Sequence, residues 1–218
     1  MIGNRIFPNA AQADPATIEA FRSSATAIIS DNLERVPGAI GLRPFHKTGE
    51  VMIGTALTVR VPAGDNLFIH KALDQIRPGD VLVVDGEGHE NRALVGEIMT
   101  SIGASRGAVG FVINGSIRDA GALAQSSFPC FARSAIHRGP YKNGPGEINV
   151  PVSIGGFVIE PGDIVVGDED GIVAFPQSIA GELLNRVRTQ EAKEAEIMKS
   201  IAEGTYKGAY GKPSGPAA

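Results

Sequence analysis

The middle of the chain alternates short, wholly apolar segments with helix-length stretches, and this constrains the fold more than any other feature. Val81-Leu82-Val83-Val84 is continuously apolar, and so is Val109-Gly110-Phe111-Val112-Ile113. Such runs suit strands covered on both faces, the condition of a buried parallel sheet. Leu94–Ser105 between them reads as a helix, a short helix is predicted from about Arg118, and a third strand around Cys130–Arg133. This β-α-β-α-β order predicts a parallel sheet with right-handed crossovers. Turns are predicted at Asp85-Gly86-Glu87-Gly88-His89 and Asn114-Gly115-Ser116, directly after the first two strands. Ligands bind at the carboxyl ends of parallel strands, so these segments are the first place to look for a site.

The flanks add smaller elements. Asp14-Pro15 is a helix start signal, and a second helix is predicted over Ser24–Val36, ended by Pro37-Gly38. Residues 51–61 read as a strand in which Gly54 marks a bulge or a close approach of backbone. Asp65-Asn66 cap a helix through Ile76, stopped by Pro78-Gly79. Residues 134–150 are loop-like. Strands around Val152–Ile154, Phe157–Ile159, Ile164–Gly167 and Gly171–Phe175 follow, joined by hairpin-type turns. A helix over about Ser178–Glu203 closes a single expected domain, residues 1–203, and residues 204–218 are expected to form a flexible tail.

Composition removes several classes of function. Lys and Arg total 20 against 24 Asp and Glu, a net charge of −4, so no basic footprint supports a nucleic-acid partner. Trp is absent and aromatics are 6%, which disfavours stacking platforms. A lone Cys130 makes neither an internal disulfide nor a cysteine-rich zinc site. No apolar run approaches the ~18 residues of a membrane span. No signal-peptide core follows Met1. The expectation is a soluble, cytoplasmic protein with no membrane partner. The 28 glycines suit a chain whose backbone approaches a ligand closely.

Few residues are placed to carry chemistry. Arg118-Asp119 follows a strand at a helix start: the Arg offers a planar fork to a carboxylate or phosphate, and the Asp offers one hard oxygen ligand to a hydrated divalent cation. The same dipeptide also reads as a helix cap beside a surface Arg. Gly96-Glu97-Ile98-Met99 stands at the equivalent point one strand earlier, where the free amides of a helix N-terminus bind anions. The alternative there is a packing Gly with Glu97 as a first-turn acid. His46, His70, His89 and His137 form no ligand pair and read as capping or surface residues, with His89 in the central Gly segment the one to watch. No dinucleotide, Walker or nucleophile-elbow motif is present. In the closing helix the apolar stripe Leu183, Leu184, Val187, Ala195, Met198, Ile201, Ala202 is interrupted by Glu191, with Glu194 on the same side. Inward acids need a partner, whether an Arg, an adjacent subunit or a hydrated metal; otherwise this is a solvated face with Glu–Lys pairs.

The stretch PGDVLVVDGEG…GEIMTSIGASRGAVGFVINGSIRD, with Met99 and Arg118 nineteen residues apart, resembles the RraA-like family, which includes the class II 4-hydroxy-4-methyl-2-oxoglutarate/4-carboxy-4-hydroxy-2-oxoadipate (HMG/CHA) aldolases. ISDNLERV at 29–36, GTALTV at 54–59 and GDEDGIVAFP at 167–176 fit as well, so the likeness covers about residues 24–200. It implies an α/β fold: a compact β/β/α three-layer sandwich of the swivelling-domain type with a long C-terminal helix, assembled as a homotrimer or hexamer with the active site at the subunit interface. It implies a pyruvate aldolase acting on a small-molecule 2-oxo acid, with oxaloacetate decarboxylation as a side activity through the same enolate. Gly96, Glu97, Ile98 and Met99 would offer backbone amides to the pyruvyl group, and Arg118 would hold its carboxylate or keto oxygen. Asp119 would ligate Mg²⁺ or Mn²⁺. Glu194, or in its place Glu191, would reach from a neighbouring subunit to orient the metal's waters. Asn114 stands where Asp is common, Val95 replaces the usual aromatic, and GEGHENRALV departs from the commoner loop. Other relatives regulate a ribonuclease by binding protein. They tend to lack a long C-terminal arm, which favours the enzyme here; a lyase or decarboxylase acting on another 2-oxo acid is the remaining alternative.

Overall fold

A computed structural model describes residues 3–35, 38–49 and 51–208. Its helices are α1 (Pro15–Phe21), α2 (Thr26–Asp31), α3 (Leu67–Leu73), α4 (Glu97–Ser105), α5 (Ala120–Leu123) and α6 (Ala180–Ala202). Its strands are β1 (Arg43–Pro44), β2 (Met52–Arg60), β3 (Asp80–Val95), β4 (Gly110–Ile117), β5 (Cys130–Ala135), β6 (Glu147–Ile148), β7 (Val152–Ile154), β8 (Phe157–Ile159), β9 (Ile164–Asp168) and β10 (Gly171–Phe175). Among the described residues eight strands form one sheet in the order β1-β5-β4-β3-β2-β9-β10, with β6 on β2; β7 and β8 form a separate hairpin. Strands β2 to β5 pair in parallel, as the apolar runs predicted, while β1, β6, β9 and β10 join antiparallel. The segment before β1 nearly closes the sheet: Ala39 N donates to Ile172 O (2.9 Å) on one edge strand, and Arg43 pairs with Ala132 on the other edge.

Side-chain alternation along the strands builds three apolar layers. Leu82, Val84, Phe111 and Ile113 face α3 and α4, against Phe68, Ile69, Leu73 and Met99. Val81, Val83, Val112 and Phe131 point the other way, into a cluster closed by Val165, Ala174 and the β7–β8 hairpin. The outer face of β9 and β10, through Ile164, Val166, Val173 and Phe175, packs on Phe21, Ile29, Leu183 and Val187 of α1, α2 and α6. Each of these fully buried large side chains contributes roughly 1.5–3 kcal/mol relative to exposure. The layered α/β architecture with a long C-terminal helix is the one expected.

Local detail both follows and corrects the sequence reading. Asp14 caps α1 by accepting from Thr17 N (3.1 Å), with Pro15 in the first turn. Gly54 is a close-approach point: a Cβ there would lie 2.6 Å from Val109 and 3.1 Å from Val81. The turns predicted at 85–89 and 114–116 are instead parts of β3 and β4. The pairing steps irregularly from Asp85 to His89, Ala93 and Val95, so β3 shifts register three times without leaving the ladder. Asn114 and Ser116 tolerate this burial because Asn114 donates to Asp85 Oδ1 (3.0 Å) and Ser153 O (3.1 Å), and Ser116 donates to Glu90 O (2.9 Å). Helix α2 is shorter than predicted: Glu34 and Arg35 adopt left-handed φ of 58° and 60° after it, and Val36 and Pro37 lie outside the described residues. Helix α4 starts at Glu97, not Leu94, because Leu94 and Val95 still belong to β3. Most of the predicted tail, from residue 209, lies outside the described residues. No helix among the described residues is long and apolar enough to cross a membrane.

Candidate active site

The carboxyl ends of β3 and β4 bring the two predicted motifs together. Backbone pairing carries the register, with Val95 opposite Ile117 and Arg118 N donating to Val95 O (3.0 Å). Gly96, the N-cap of α4, therefore lies against Arg118 and Asp119. A Cβ at Gly96 would overlap the Asp119 carboxylate and come within 2.8 Å of Arg118 Cγ. Its φ of −157° is open to any residue, so glycine is required here by space alone. Asp119 occupies the left-handed region (φ 59°, ψ 34°) at the start of α5. That backbone turns its carboxylate back onto α4, where Oδ2 accepts from Glu97 N (3.1 Å) and lies 3.6 Å from Arg118 Nε. Both side chains are about two-fifths exposed.

The predicted anion-binding amides are only partly free. Glu97 N is taken by Asp119, and Met99 N donates to Gly96 O (3.1 Å), which leaves Gly96 N and Ile98 N without an acceptor among the described residues. The reason is geometric: the left-handed Asp119 reaches the first amide of α4 itself.

A cleft of about 280 Å³ opens beside this corner, lined by Gly96, Ile98, Met99, Arg118 and Asp119 on one side. Its other side was not foreseen. It comes from Asn66 and His70 of α3 and from Gly139, Pro140 and Lys142 of the loop between β5 and β6. Asn66 is the N-cap of α3 by position but its side chain makes no capping bond; Asp65 Oδ1 accepts from Leu67 N (2.9 Å) instead. Asn66 is buried and donates to Leu94 O (2.9 Å), and its Oδ1 has no donor among the described residues. Burial pushes the His70 imidazole below its ordinary pKa, and Lys142 pushes the same way against the opposing charge of Asp74. The one available signal was the i, i+4 spacing of Asn66 and His70, which puts both on one helix face.

Other predicted residues lie elsewhere. Within one chain Glu191 and Glu194 sit on α6, in the helical layer of α1 and α2, not in the Arg118–Asp119 cleft. Glu194 Oε1 accepts from Gln190 Nε2 (2.8 Å) beside a groove formed with Asp31 and Asn32 of α2. His89 pairs with Gly115 inside the bulged part of β3 and does not line the cleft. Of the glycines near the strand ends, only Gly96 borders it on the Arg118 side; Gly86 and Gly115 make room for Leu94, and a Cβ at Gly115 would lie 2.8 Å from Leu94 Cδ1.

The donor set fits a hydrated hard cation rather than a caged one. Asp119 Oδ1 has no donor among the described residues, and the described residues contain no group of three His, Cys, Asp or Glu able to enclose a metal. Mg²⁺ and Mn²⁺ accept this pattern, one or two protein oxygens with water completing the shell.

Residues 26–174 match the family described as RraA-like, Aldolase/RraA. The chain belongs to this family. It is 36% identical over 193 residues to a Halalkalibacterium halodurans protein named "Putative 4-hydroxy-4-methyl-2-oxoglutarate aldolase", covering 88% of this chain and 91% of that one. Among solved structures, an uncharacterized protein from Pseudomonas syringae pv. tomato superposes with TM-score 0.79 at 28% identity, over 89% of this chain and 96% of that one. The RNA-processing inhibitor RraA from Thermus thermophilis superposes with TM-score 0.64 at 29% identity, over 71% of this chain and 93% of that one. The RraA-like match contains Gly96, Arg118 and Asp119, the three positions that form the corner of the cleft.

Proposed function

We propose that the protein is a divalent-metal-dependent lyase that cleaves a 4-hydroxy-2-oxo acid to pyruvate and a second oxo acid, and decarboxylates oxaloacetate as a side reaction. The observation that carries this reading is the corner where Gly96, Arg118 and Asp119 meet. It sets a cationic fork, a helix amide and one open carboxylate oxygen around a cleft of small-molecule size.

Cleavage breaks the C3–C4 bond and leaves its electron pair on C3, so negative charge spreads to the 2-oxo oxygen as an enolate. The Arg118 guanidinium is placed to hold that oxygen or the adjacent carboxylate, and Ile98 N–H adds a fixed donor at the helix terminus. Asp119 would hold Mg²⁺ or Mn²⁺ through Oδ1, while Oδ2 stays fixed by Glu97 N. Such an ion, when bound, supplies Lewis-acid stabilisation of developing negative charge. The C4 hydroxyl must lose a proton as the bond breaks, and C3 of the enolate must then gain one to give pyruvate, so the proton count is unchanged. Glu194, or Glu191, from a neighbouring copy in a trimer or hexamer would order the water that takes the hydroxyl proton. Asn66, His70 and Lys142 receive the half of the substrate that leaves as the second oxo acid, where Lys142 offers a cation to its carboxylate.

Pyruvate release from 4-hydroxy-4-methyl-2-oxoglutarate and from oxaloacetate, with Mg²⁺ or Mn²⁺ and with EDTA, tests the proposal. Turnover is expected with metal and not with chelator. Metal-independent turnover would overturn it, as would borohydride trapping of pyruvate on Lys142. A second reading, a protein-binding regulator of RNA processing, draws support from the likeness to the Thermus inhibitor. It is favoured if no oxo acid is turned over.

A further inference from the structure

Residues 136–146, between β5 and β6, have almost no regular structure, yet they supply Gly139, Pro140 and Lys142 to the cleft. Something outside the loop must fix its shape. Two side chains do so, at opposite ends. Arg92 donates through Nη1 to Gly139 O (2.8 Å) and through Nη2 to the Tyr141 hydroxyl (2.7 Å), with its guanidinium stacked 3.9 Å from the Tyr141 ring. Asp65 holds the other end: Oδ2 accepts from Asn143 N (2.6 Å) and Gly144 N (3.1 Å). Its second oxygen, Oδ1, accepts from Leu67 N (2.9 Å) at the start of α3.

Asp65 is 4% exposed, and an acid so buried needs its lone pairs filled. Three backbone amides fill them, two from the loop and one from the helix. Backbone bonds close the same joint on either side, from Tyr141 N to Gly64 O (2.8 Å) and from Asn66 N to Tyr141 O (3.0 Å). One carboxylate therefore ties the helix that carries Asn66 and His70 to the loop that carries Lys142. Those three side chains form the far wall of the cleft, opposite the Gly96–Arg118–Asp119 corner. The corner rests on β3, β4 and α4 and makes no hydrogen bond to Asp65.

We propose that Asp65 is a positioning residue that sets the far wall of the cleft, and so selects the part of a 4-hydroxy-2-oxo acid that does not become pyruvate. This rests on the lyase reading above. Asp65 touches no substrate; it acts through the spacing of Asn66 and His70 from Lys142. The ligand feature it selects is an anionic group toward Lys142, the second carboxylate of the 4-hydroxy acid. Pyruvate, which occupies the corner alone, is indifferent to it.

The test is Asp65→Asn in the full-length protein with its metal. The amide keeps the size of the side chain but turns an N–H against the donors it held. KM for 4-hydroxy-4-methyl-2-oxoglutarate is expected to rise about tenfold or more, the loss of charge-assisted bonds, with kcat and the inhibition constant of pyruvate within about twofold. A general loosening of the fold would move all three. In the wild type, amide exchange at 143–144 should slow on adding the 4-hydroxy acid under conditions of saturation, and not on adding pyruvate, which keeps the proposal testable if the variant does not fold. Equal changes in KM and in pyruvate inhibition overturn the inference, and so does equal exchange protection by the two ligands. Absence of wild-type turnover and of pyruvate inhibition is a different outcome: it removes the lyase reading on which the inference stands.

Discussion

Asp119 and Glu147 are both carboxylates beside arginine, and they differ in what is left unfilled. Glu147, on β6, is 2% exposed in its side chain; Oε1 accepts from Arg5 Nε and Gly3 N, and Oε2 from Arg60 Nη2. Its bonds hold the N-terminal segment to the sheet, where Ile148 N also donates to Arg5 O (3.0 Å). Asp119 is about two-fifths exposed, uses one oxygen for Glu97 N, and keeps the other open toward the cleft. A saturated carboxylate holds structure together; an unsaturated one in a cleft is available to a ligand. The contrast yields paired predictions, in which the same chemical change, carboxylate to amide, has opposite readouts.

Asp119→Asn should have the largest effect on activity, a fall of about 10³-fold in kcat/KM, because the proposed cation site loses its only protein oxygen charge. Thermal stability should stay within about 0.5 kcal/mol of wild type. Asn tolerates the left-handed backbone and still offers an oxygen to Glu97 N. Calorimetric titration with Mn²⁺ should show weakened binding in the same variant. If Asp119→Asn instead lowered stability with activity per folded molecule intact, the two carboxylates would be the same kind of residue and the comparison would break.

Arg118→Ala is expected next, with about a 10²–10³-fold loss, the usual cost of removing one donor to a developing oxyanion. Gly96→Ala sharpens the geometric side. Its backbone is ordinary, so the protein should fold, but the new methyl displaces both Asp119 and Arg118. A loss of about 10–10²-fold is expected from misplacement alone. Steady-state kinetics alongside a thermal melt separates this from unfolding. An Ala variant with full activity would mean that the corner is not the reacting centre.

Glu147→Gln mirrors Asp119→Asn. It should lower stability by about 1–3 kcal/mol, since donors shaped for a carboxylate meet an amide N–H, a shift of about 2–4 °C in Tm per kcal/mol for a chain of this length. Activity per folded molecule should be unchanged. Denaturant titration and pyruvate release on the same sample check both halves.

How much of this was legible in the sequence depends on where each residue finds its partner. Val81–Val84 and Val109–Ile113 announced buried parallel strands because burial on two faces leaves a continuous apolar run. The corner was legible because Gly96 and Arg118-Asp119 follow adjacent strands directly, so strand pairing alone brings them together. The bulged ladder was not, because Asn114 and Ser116 are turn-formers unless Asp85, Ser153 and Glu90 come from distant segments to satisfy them. The far wall was hidden for the same reason. Lys142 lies more than seventy residues from Asn66, and they are joined by Asp65 and by backbone bonds to Tyr141, none of which shows in a residue that reads locally as a helix cap. Glu191 and Glu194 mark a second kind of limit, since one chain places them in a different helical layer from Asp119 and only a neighbouring copy could bring them together.

The pH dependence of stability gives the smallest effect and the finest check on the comparison. The Arg5 hydrogen bond, with Gly3 N and Arg60, holds the Glu147 carboxyl down to about 2 from an ordinary 4.5, against the opposing effect of its burial. Depressing a carboxyl in the folded state means that the unfolded chain binds its proton first as pH falls. The contribution of Glu147 is therefore complete above about pH 4.5 and drains away as pH falls toward about 2, below which both states are protonated. Other groups titrate over a wider span: His46 and His70 are lowered by burial, and Asp163 is raised by it. Their effects act equally on wild type and Glu147→Gln and cancel in the difference. The gap in Tm between the two proteins should be constant from pH 7 to about 5, narrow below 4.5 and close near 2. A gap that persisted to the lowest pH would mean that Glu147 acts through shape, and the charge would then play no part in distinguishing it from Asp119.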